Sequence, residues 1–521
     1  MNVATRPATL RPITIAEGVR TSALRDPGKV AFTEQGRSQT YRQFVERMNR
    51  VSNLSAGLGL RKDDHVALMS ANCIEFIEIT VGMAEAGTPA AMISPNATAS
   101  EISYICDDAG ARILFVQKAM EAVARSAKLA TVERIVVIGG DYEDLLARSS
   151  PQDPAVALEE WDVFAIPYTS GTTGKPKGVL LSHRARVNHM LFAMAANYGC
   201  YSPACRGLAM APFFNGAGFI NAFGPIFFGG TCHILPKYEP EAMLRALSER
   251  KITNMFMVPT HFHAMFALGD TVLDKYDTSS LVCINSNAAP LPQATKERIV
   301  DFFGDNILFE AYGTTEVGGV TNLRPEDQLR KLRCVGQPIP GCRIQLMDDA
   351  GRPVKAGEVG EVWAQNAWMF NGYWNKPEQT AEAIKPGGWY ATGDMGRLDD
   401  EGFLYLVDRK KDIIISGGQN IYPREIEEAL HHHPAILEAA SVGKDDAYWG
   451  EAVTAFVVFR AGQSASEDEL RDFLAKDLAR YKLPKKVYVI DRLPRNAAGK
   501  ILHRELRSQV NALPALETKR G

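Results

Sequence analysis

Residues 169–178 read TSGTTGKPKG. Ten positions hold three glycines, three threonines, one serine and two lysines. Glycines let backbone N–H groups approach an anion closely, hydroxyls add donors, and the lysines add positive charge. The spacing is not that of the GxxxxGK[ST] phosphate loop, which enters a helix. Here Gly171 and Gly174 stand three apart and Pro176 follows Lys175. The flanks DVFAIPY (162–168) and GVLLSH (178–183) both read as strands, so the loop joins strand to strand. A Gly-rich loop of that kind suits a mobile flap over a triphosphate. A plain Gly/Thr hairpin is the competing reading, and the density of anion-binding groups in one ten-residue string weighs against it. A helix follows, with Ser182 at its cap and Val187, Met190, Leu191 and Met194 as its expected buried face.

Outward from this loop the chain alternates helix-like and strand-like pieces to about residue 310. Residues 40–58 carry Phe44, Met48, Val51 and Leu54 at helical steps, and residues 64–70 read as a short buried strand. Such alternation argues for layered α/β lobes. From about 335 to 410 the texture becomes strand, Asp/Gly turn, strand, as in 341–354 and 396–409. Residues 412–521 read as a small α+β unit. Its helix at 422–434 is marked by Pro423 in the first turn, Glu425 at the positive end and Pro434 as the stop. The charged stretch Asp408–Asp412 suits an exposed boundary.

The 521 residues are 46% hydrophobic and 23% charged, with a formal net charge of −3. Disorder of the chain as a whole is excluded, and the balanced charge gives no reason to expect nucleic acid. Eight cysteines form no CxxC pair and read as reduced thiols. No signal peptide or spanning segment is visible, so a cytoplasmic protein is expected. The consecutive His431, His432 and His433 point in different directions on a helix and make a poor metal site. His261 and His263 in VPTHFHAM would share a face only in a strand.

The 169–178 string resembles the signature of the adenylate-forming superfamily, its acyl-CoA synthetase and aryl acid–CoA ligase branch in particular. Four further motifs stand in that family's order: YGTTE at 312–316, WYATGD at 389–394, DRKKDIIISGGQNIYPREIE at 408–427 and LPRNAAGKI at 493–501. The resemblance implies a large N-terminal AMP-binding domain (1–408) of layered α/β lobes plus a β-rich lobe. A small mobile α+β domain (409–521) would follow, with Lys411 at the hinge. It implies an ATP-dependent acid–CoA ligase that forms an acyl-adenylate and passes the acyl group to the CoA thiol. ATP, Mg2+ and coenzyme A are the expected cofactors. A small carboxylic acid is the expected partner, with no nucleic acid, no membrane span, and a homodimer among the assemblies left open.

Residue by residue, the resemblance makes Lys500 the cation between α-phosphate and substrate carboxylate, Glu316 the magnesium ligand and Thr315 a phosphate contact. ATP or AMP would further meet Thr169, Ser170, Gly171, Thr172, Thr173, Gly174, Lys175 and Lys177. It would also meet Asn287, Ala288, Ala289, Pro290, Glu310, Ala311, Tyr312, Gly313 and Thr314. Asp394 offers two acceptors to the ribose diol, with Arg409 beside it. The acyl pocket would use Asn215, Ala217, Gly218, Ser286, Asn287, Ala311, Gly319 and Val320. Ser416, Gly417 and Gly418 would lie along the pantetheine arm of CoA.

Three positions depart from common family patterns: Asn215 where His is frequent, Asn287 where Gly is usual, and Ala391 before TGD. None removes a reacting group. The pocket positions are small and uncharged, so the expected substrate is an aromatic, cyclic or medium-chain monocarboxylic acid, and malonate-like acids are disfavoured. The alternative is a stand-alone adenylating enzyme that loads a carrier-protein thiol. A dead nucleotide binder would be expected to have lost Lys500, Glu316 or Asp394, and all three are present.

Overall fold

The computed structural model describes residues 12–169, 175–289, 291–495 and 501–513. The chain forms two compact units. The first gathers Met1–Leu332, Gly336–Arg343 and Ala364–Tyr390; the second gathers Arg333–Val335, Ile344–Trp363 and Ala391–Gly521.

Two sheets build the first unit. In the seven-stranded sheet, Val163–Thr169, Ala90–Ile93, His65–Met69, Ala111–Gln117 and Arg134–Ile138 run parallel. Lys177–Ser182 and then Gly372–Tyr373 add antiparallel at one edge. The nine-stranded sheet has a parallel centre, from Leu308–Thr314 through Cys283–Ser286, Asn254–Met257, Arg206–Ala209 and Thr231–Ile234 to Val30–Glu34. Its outer strands, Gly318–Leu323 with Gln337–Pro338 and Arg37–Thr40, are antiparallel. Continuous apolar runs such as His65–Met69, buried at every residue, are what a parallel sheet covered on both faces requires.

The expected helix after residue 40 spans Tyr41–Gly57. Thr40 accepts from the Gln43 N–H and Gln43 returns a bond to the Thr40 N–H, a reciprocal cap, and Phe44, Met48, Val51 and Leu54 are buried. Helix Ile74–Glu85 is buried all round and touches strands of both sheets. Its Glu78, with no exposed surface, is held by Arg47 at 2.5 Å, Gln39 at 2.6 Å and Tyr142 at 3.1 Å. A carboxylate with that many donors is affordable inside a core.

In the second unit, strand Trp389–Leu398 pairs antiparallel with Leu404–Arg409 from Asp394 onward, the hairpin expected at 396–409, while its first two residues group with the first unit. A further sheet is ordered Gln419–Ile421, Ile414–Ser416, Gly450–Phe459, Ile436–Asp446, with Lys486–Val489 parallel to Gly450–Phe459. Alternation along Gly450–Phe459 sends Val453, Ala455 and Val457 into one core and Phe456 and Val458 into another. Helices Pro423–His431 and Glu467–Leu474 cover the first core and His503–Asn511 the second.

Two expectations need correction. In helix His183–Ala196, Ser182 Oγ does accept from the Ala185 N–H at 3.2 Å, and Val187 and Met190 are buried. Leu191, however, is 39% exposed. The helical stripe that holds Val187 and Met190 is narrow, and Leu191 turns past its edge. In the charged stretch, only Lys410 and Lys411 are exposed. Asp408 instead accepts from the N–H groups of Arg409 at 2.7 Å and Arg424 at 2.9 Å, which ties it to the start of helix Pro423–His431. Burial raises its carboxyl pKa to about 6.

Candidate active site

The Gly-rich string joins Val163–Thr169 to Lys177–Ser182, as its flanks predict, and Thr169 is the register partner of Lys177. Ser170, Gly171, Thr172, Thr173 and Gly174 lie outside the described residues. Lys175 and Lys177 each stand over an aromatic ring, 5.3 Å from Tyr104 and 4.9 Å from Tyr373. Ring faces attract a cation weakly without neutralising it, so both charges stay available to phosphate.

At the adjoining strand ends of the nine-stranded sheet, Ser286 and Glu310 are register partners. Glu310 is buried in an ion pair with Lys296, which occupies its side chain. Ser286 Oγ and Asn287 Oδ1 are buried without a hydrogen-bond partner among the described residues. Buried polar atoms in that state cost free energy until a ligand or water reaches them. Ala288 has φ +72°, a strained left-handed backbone of the kind that gathers at ligand sites. Pro290 lies outside the described residues. Ala311, Tyr312, Gly313 and Thr314 follow on strand Leu308–Thr314, with Tyr312 buried.

Thr315 and Glu316 form the turn into Gly318–Leu323. Glu316 is half-buried, and one of its oxygens accepts from the Tyr373 hydroxyl at 2.8 Å. Its carbonyl accepts from the Phe370 N–H at 2.7 Å. Burial and then the Glu316 charge raise the Tyr373 pKa, so the phenol stays a donor. Trp368 Nε1 donates to the Gly319 carbonyl at 3.0 Å and Asn366 to that of Val317 at 2.8 Å. The segment 366–373 thus fixes the turn that presents Glu316. Val320 is fully buried, and Asn215 heads helix Gly216–Phe227.

The second unit carries the other predicted group. Asp394 and Arg409 are register partners across the 389–409 hairpin, and Arg409 Nε meets Asp394 Oδ1 at 2.5 Å. Asp394 is only 6% exposed. Lys411 lies exposed in the turn that follows. Ser416 and Gln419 close a hairpin whose two central residues, Gly417 (φ +57°) and Gly418 (φ +77°), both need the left-handed region. Lys500 lies outside the described residues; Arg495 and Ile501 form an antiparallel bridge around its segment.

Family models describe residues 19–374 as an AMP-binding enzyme and 425–500 as an AMP-binding enzyme C-terminal domain. The chain is 33% identical over 505 residues to a 2-succinylbenzoate–CoA ligase of Geobacillus kaustophilus, covering 95% of this chain and 98% of that one. It is 33% identical over 521 residues to a long-chain-fatty-acid–CoA ligase of Bacillus subtilis, covering 93% and 92%. Among solved structures, ATP-bound MatB from Rhodopseudomonas palustris superposes with a TM-score of 0.88 at 28% identity, covering 96% of this chain and 99% of that one. The chain belongs to the AMP-binding enzyme family.

For an adenylate-forming enzyme, the structure adds two residues that motif reading missed, both on helix His183–Ala196. His189 Nε2 accepts from the Gly319 N–H at 3.1 Å, so its proton sits on Nδ1. Burial, then the nearby Arg186, hold its pKa down to about 3, so it is neutral. Arg186 lies one turn earlier and is 6% exposed. A Cβ placed on Gly216 would stand 3.1 Å from a terminal nitrogen of its guanidinium. The eight predicted pocket positions are uncharged, and Arg186 is a charged neighbour of the adjoining Gly216. Arg186 sits outside every motif, so only the fold brings it there. The two histidines of VPTHFHAM lie on helix Pro259–Phe266; His261 stacks on Tyr238 at 4.0 Å and His263 reaches Thr295 at 3.2 Å. Among the described residues no cluster of three or more His, Cys, Asp or Glu side chains could hold a metal ion.

Proposed function

We propose that the chain is an ATP-dependent acid–CoA ligase acting on an aromatic, cyclic or medium-chain acid. The observation that carries this reading is the end-to-end likeness to proteins named as CoA ligases, with Lys500, Glu316 and Asp394 all in place. A carboxylate is a poor electrophile because oxide does not leave. Attack of the carboxylate on the α-phosphate of ATP expels pyrophosphate and leaves an acyl-adenylate. The CoA thiol then attacks the acyl carbon and AMP departs. The first step needs no base, since a carboxylic acid is ionised at pH 7. It needs two anions held together and their repulsion offset.

In this reading Lys175, Lys177 and the Gly/Thr loop hold the β- and γ-phosphates. Lys500 bridges the α-phosphate and the substrate carboxylate. Asp394 accepts both ribose hydroxyls, and Arg409, already paired with it, holds the carboxylate in place. The residues present fit a magnesium ion. Glu316 has one oxygen tied to Tyr373, and no second donor reaches its carboxylate among the described residues. Magnesium takes one or two carboxylates and completes its shell with phosphate oxygens and water. When bound it would neutralise phosphate charge. Ser416–Gly418 would border the pantetheine arm, with residues 409–521 as the mobile domain turning at Lys411. None of the eight cysteines is in a disulfide, which suits the reducing cytoplasm. Among the described residues no helix is long and apolar enough to cross a membrane.

Pyrophosphate release and thioester formation over benzoates, hydroxycinnamates, cyclic acids and C4–C16 fatty acids, with ATP, magnesium and CoA, test this reading. Thioester formed with one acid class is the expected result. Pyrophosphate release without a CoA thioester would move the acceptor to a carrier protein. Nucleotide binding with no pyrophosphate from any acid would refute the ligase.

A further inference from the structure

Both ends of the Gly-rich string are gripped from outside by residues that no motif contains. Strand pairing joins the ends themselves, Thr169 with Lys177 and Tyr168 with Gly178. Helix Ala99–Ala109 adds a second hold, through Tyr104 and Asp108, which stand one turn apart on it. The Tyr104 hydroxyl donates to the Pro176 carbonyl at 2.8 Å, and the Lys175 ammonium lies 5.3 Å from the centre of its ring. A hydroxyl has one proton to give, so the 3.5 Å approach of Tyr104 to Asp108 is the minor contact. Asp108 Oδ2 accepts from the Tyr168 hydroxyl at 2.8 Å. One helix thus holds the residue just before the string and a residue within it.

Asp108 also binds the segment that steadies Glu316. Lys376 Nζ donates to Asp108 Oδ1 at 2.8 Å, and Trp374 Nε1 donates to the Asp108 carbonyl at 2.9 Å. The Trp374 N–H donates in turn to the Gly178 carbonyl at 2.9 Å. One residue earlier, Tyr373 bonds Glu316 at 2.8 Å, and its ring centre lies 4.9 Å from the Lys177 ammonium. Residues 373–376 are therefore tied to Glu316 at one end and to Asp108 at the other, with Gly178 fastened between. The Asp108 bond raises the Lys376 pKa, and burial, then the Asp108 charge, raise that of Tyr168. The ammonium stays charged and the phenol stays a donor. With Lys376 matching it, Asp108 brings no net charge to the neighbourhood of the string. What the residue supplies is a fixed point shared by a helix, the strand before the string and the segment that holds Glu316.

We propose that Tyr104 and Asp108 are positioning residues for ATP, a brace that sets Lys175 and Lys177 at a fixed separation from the Glu316 carboxylate. This deepens the ligase reading and rests on it, since that reading gives the β- and γ-phosphates to the string. A triphosphate with its magnesium must meet the lysines and Glu316 together, so their spacing has to suit it beforehand. Neither Tyr104 nor Asp108 touches the nucleotide in this account. AMP and an acyl-adenylate carry no β- or γ-phosphate, so neither should feel the brace.

The test compares MgATP with AMP on wild type, Tyr104→Phe and Asp108→Asn. Tyr104→Phe removes the bond to Pro176 and keeps the ring beside Lys175. It should raise the Kd for MgATP, read by ligand-induced thermal shift, roughly 3- to 10-fold, the range of one net hydrogen bond. The Kd for AMP should not change. In turnover the variant should raise the KM for ATP by a similar factor and leave the KM for the acid alone. It should convert supplied acyl-adenylate and CoA to thioester at the wild-type rate. Asp108→Asn is the sharper arm. It removes a negative charge near a site for anions, so a purely electrostatic role predicts tighter MgATP. An amide offers one acceptor oxygen where Tyr168 and Lys376 use two, so positioning predicts MgATP weaker by roughly 10- to 100-fold, with AMP again unmoved. AMP binding by the same sample shows that the variant is folded around its nucleotide site. Equal weakening of MgATP and AMP would overturn the proposal, because it marks a general defect of the fold. So would MgATP binding unchanged in Tyr104→Phe or tighter in Asp108→Asn. Wild type that binds MgATP but releases no pyrophosphate with any acid would overturn the ligase reading, while the MgATP-to-AMP comparison still decides the brace.

Discussion

At the scale of single residues, a charge is legible when a motif surrounds it and illegible when only the fold does. Glu316 and Asp394 stand out within YGTTE and WYATGD, but Tyr373, which holds Glu316 at 2.8 Å, comes 57 positions later in no motif. Arg186 is hidden further. In the sequence it belongs to one more amphipathic helix, and its place beside Gly216, thirty positions on, is set only by the fold. Lys500 is the opposite case, since its assignment comes wholly from PRNAAGK. If it supplies the positive charge between two anions, the charge matters only where those anions meet. Lys500→Ala should therefore slow acyl-adenylate formation by about two to three orders of magnitude, the usual loss for one preorganised electrostatic group. The same variant should still convert supplied acyl-adenylate and CoA to thioester at near wild-type rate. Unimpaired pyrophosphate release would mean that another cation does this work.

At the scale of elements, caps and periodicity made three helices readable, those at 40–58, after Ser182 and at 422–434. Ser182 and Pro423 each mark a helix start that the structure keeps, while the reciprocal caps of Thr40 with Gln43 and of Ser466 with Glu469 are found in the structure. What periodicity leaves out is where a stripe ends, which is why Leu191 surfaced, and which helices are tied by charge. Helix His503–Asn511 begins with such a tie: His503 Nε2 meets Glu427 Oε1, on helix Pro423–His431, at 2.9 Å. Burial pushes the imidazole pKa down, but the Glu427 bond and charge, with lesser help from Asp412 and Asp408, outweigh it and leave the pKa raised above 6.5. A histidine pKa raised in the folded state contributes stability that is complete below pH 6.5 and disappears as pH climbs through the folded value. Chemical denaturation at pH 6 and pH 8 should thus show the second unit losing stability on the alkaline side. His503→Gln should flatten that dependence, with its largest deficit at pH 6. Equal pH slopes for the two proteins would remove the ion pair from the account.

At the scale of the whole molecule, the α/β class and its five ordered motifs were legible because each motif is local. The partition into compact units was harder to read, because strand pairing ignores chain order. Val335 donates to the Leu404 carbonyl at 2.9 Å, so residues 333–335 group with the C-terminal unit although the chain around them belongs to the first. A boundary placed at 408 by charge and a compact unit that already includes 391–408 answer different questions, one about motion and one about packing. Motion at Lys411 can be tested directly. Its neighbours are tied, Lys410 N–H to the Gly393 carbonyl at 2.8 Å and Asp412 N–H to that of Arg409 at 2.9 Å, while among the described residues the Lys411 N–H has no backbone acceptor. Lys411→Pro therefore deletes no recorded backbone bond and acts mainly by fixing φ near −65°. If residues 409–521 turn about this point between the two half-reactions, one half-reaction should survive and the other fall by about an order of magnitude or more. Pyrophosphate release and thioester formation from supplied acyl-adenylate, measured separately on a variant with wild-type melting temperature, distinguish the two. Loss of both in proportion would indicate a local defect, and loss of neither would remove the turning point from Lys411.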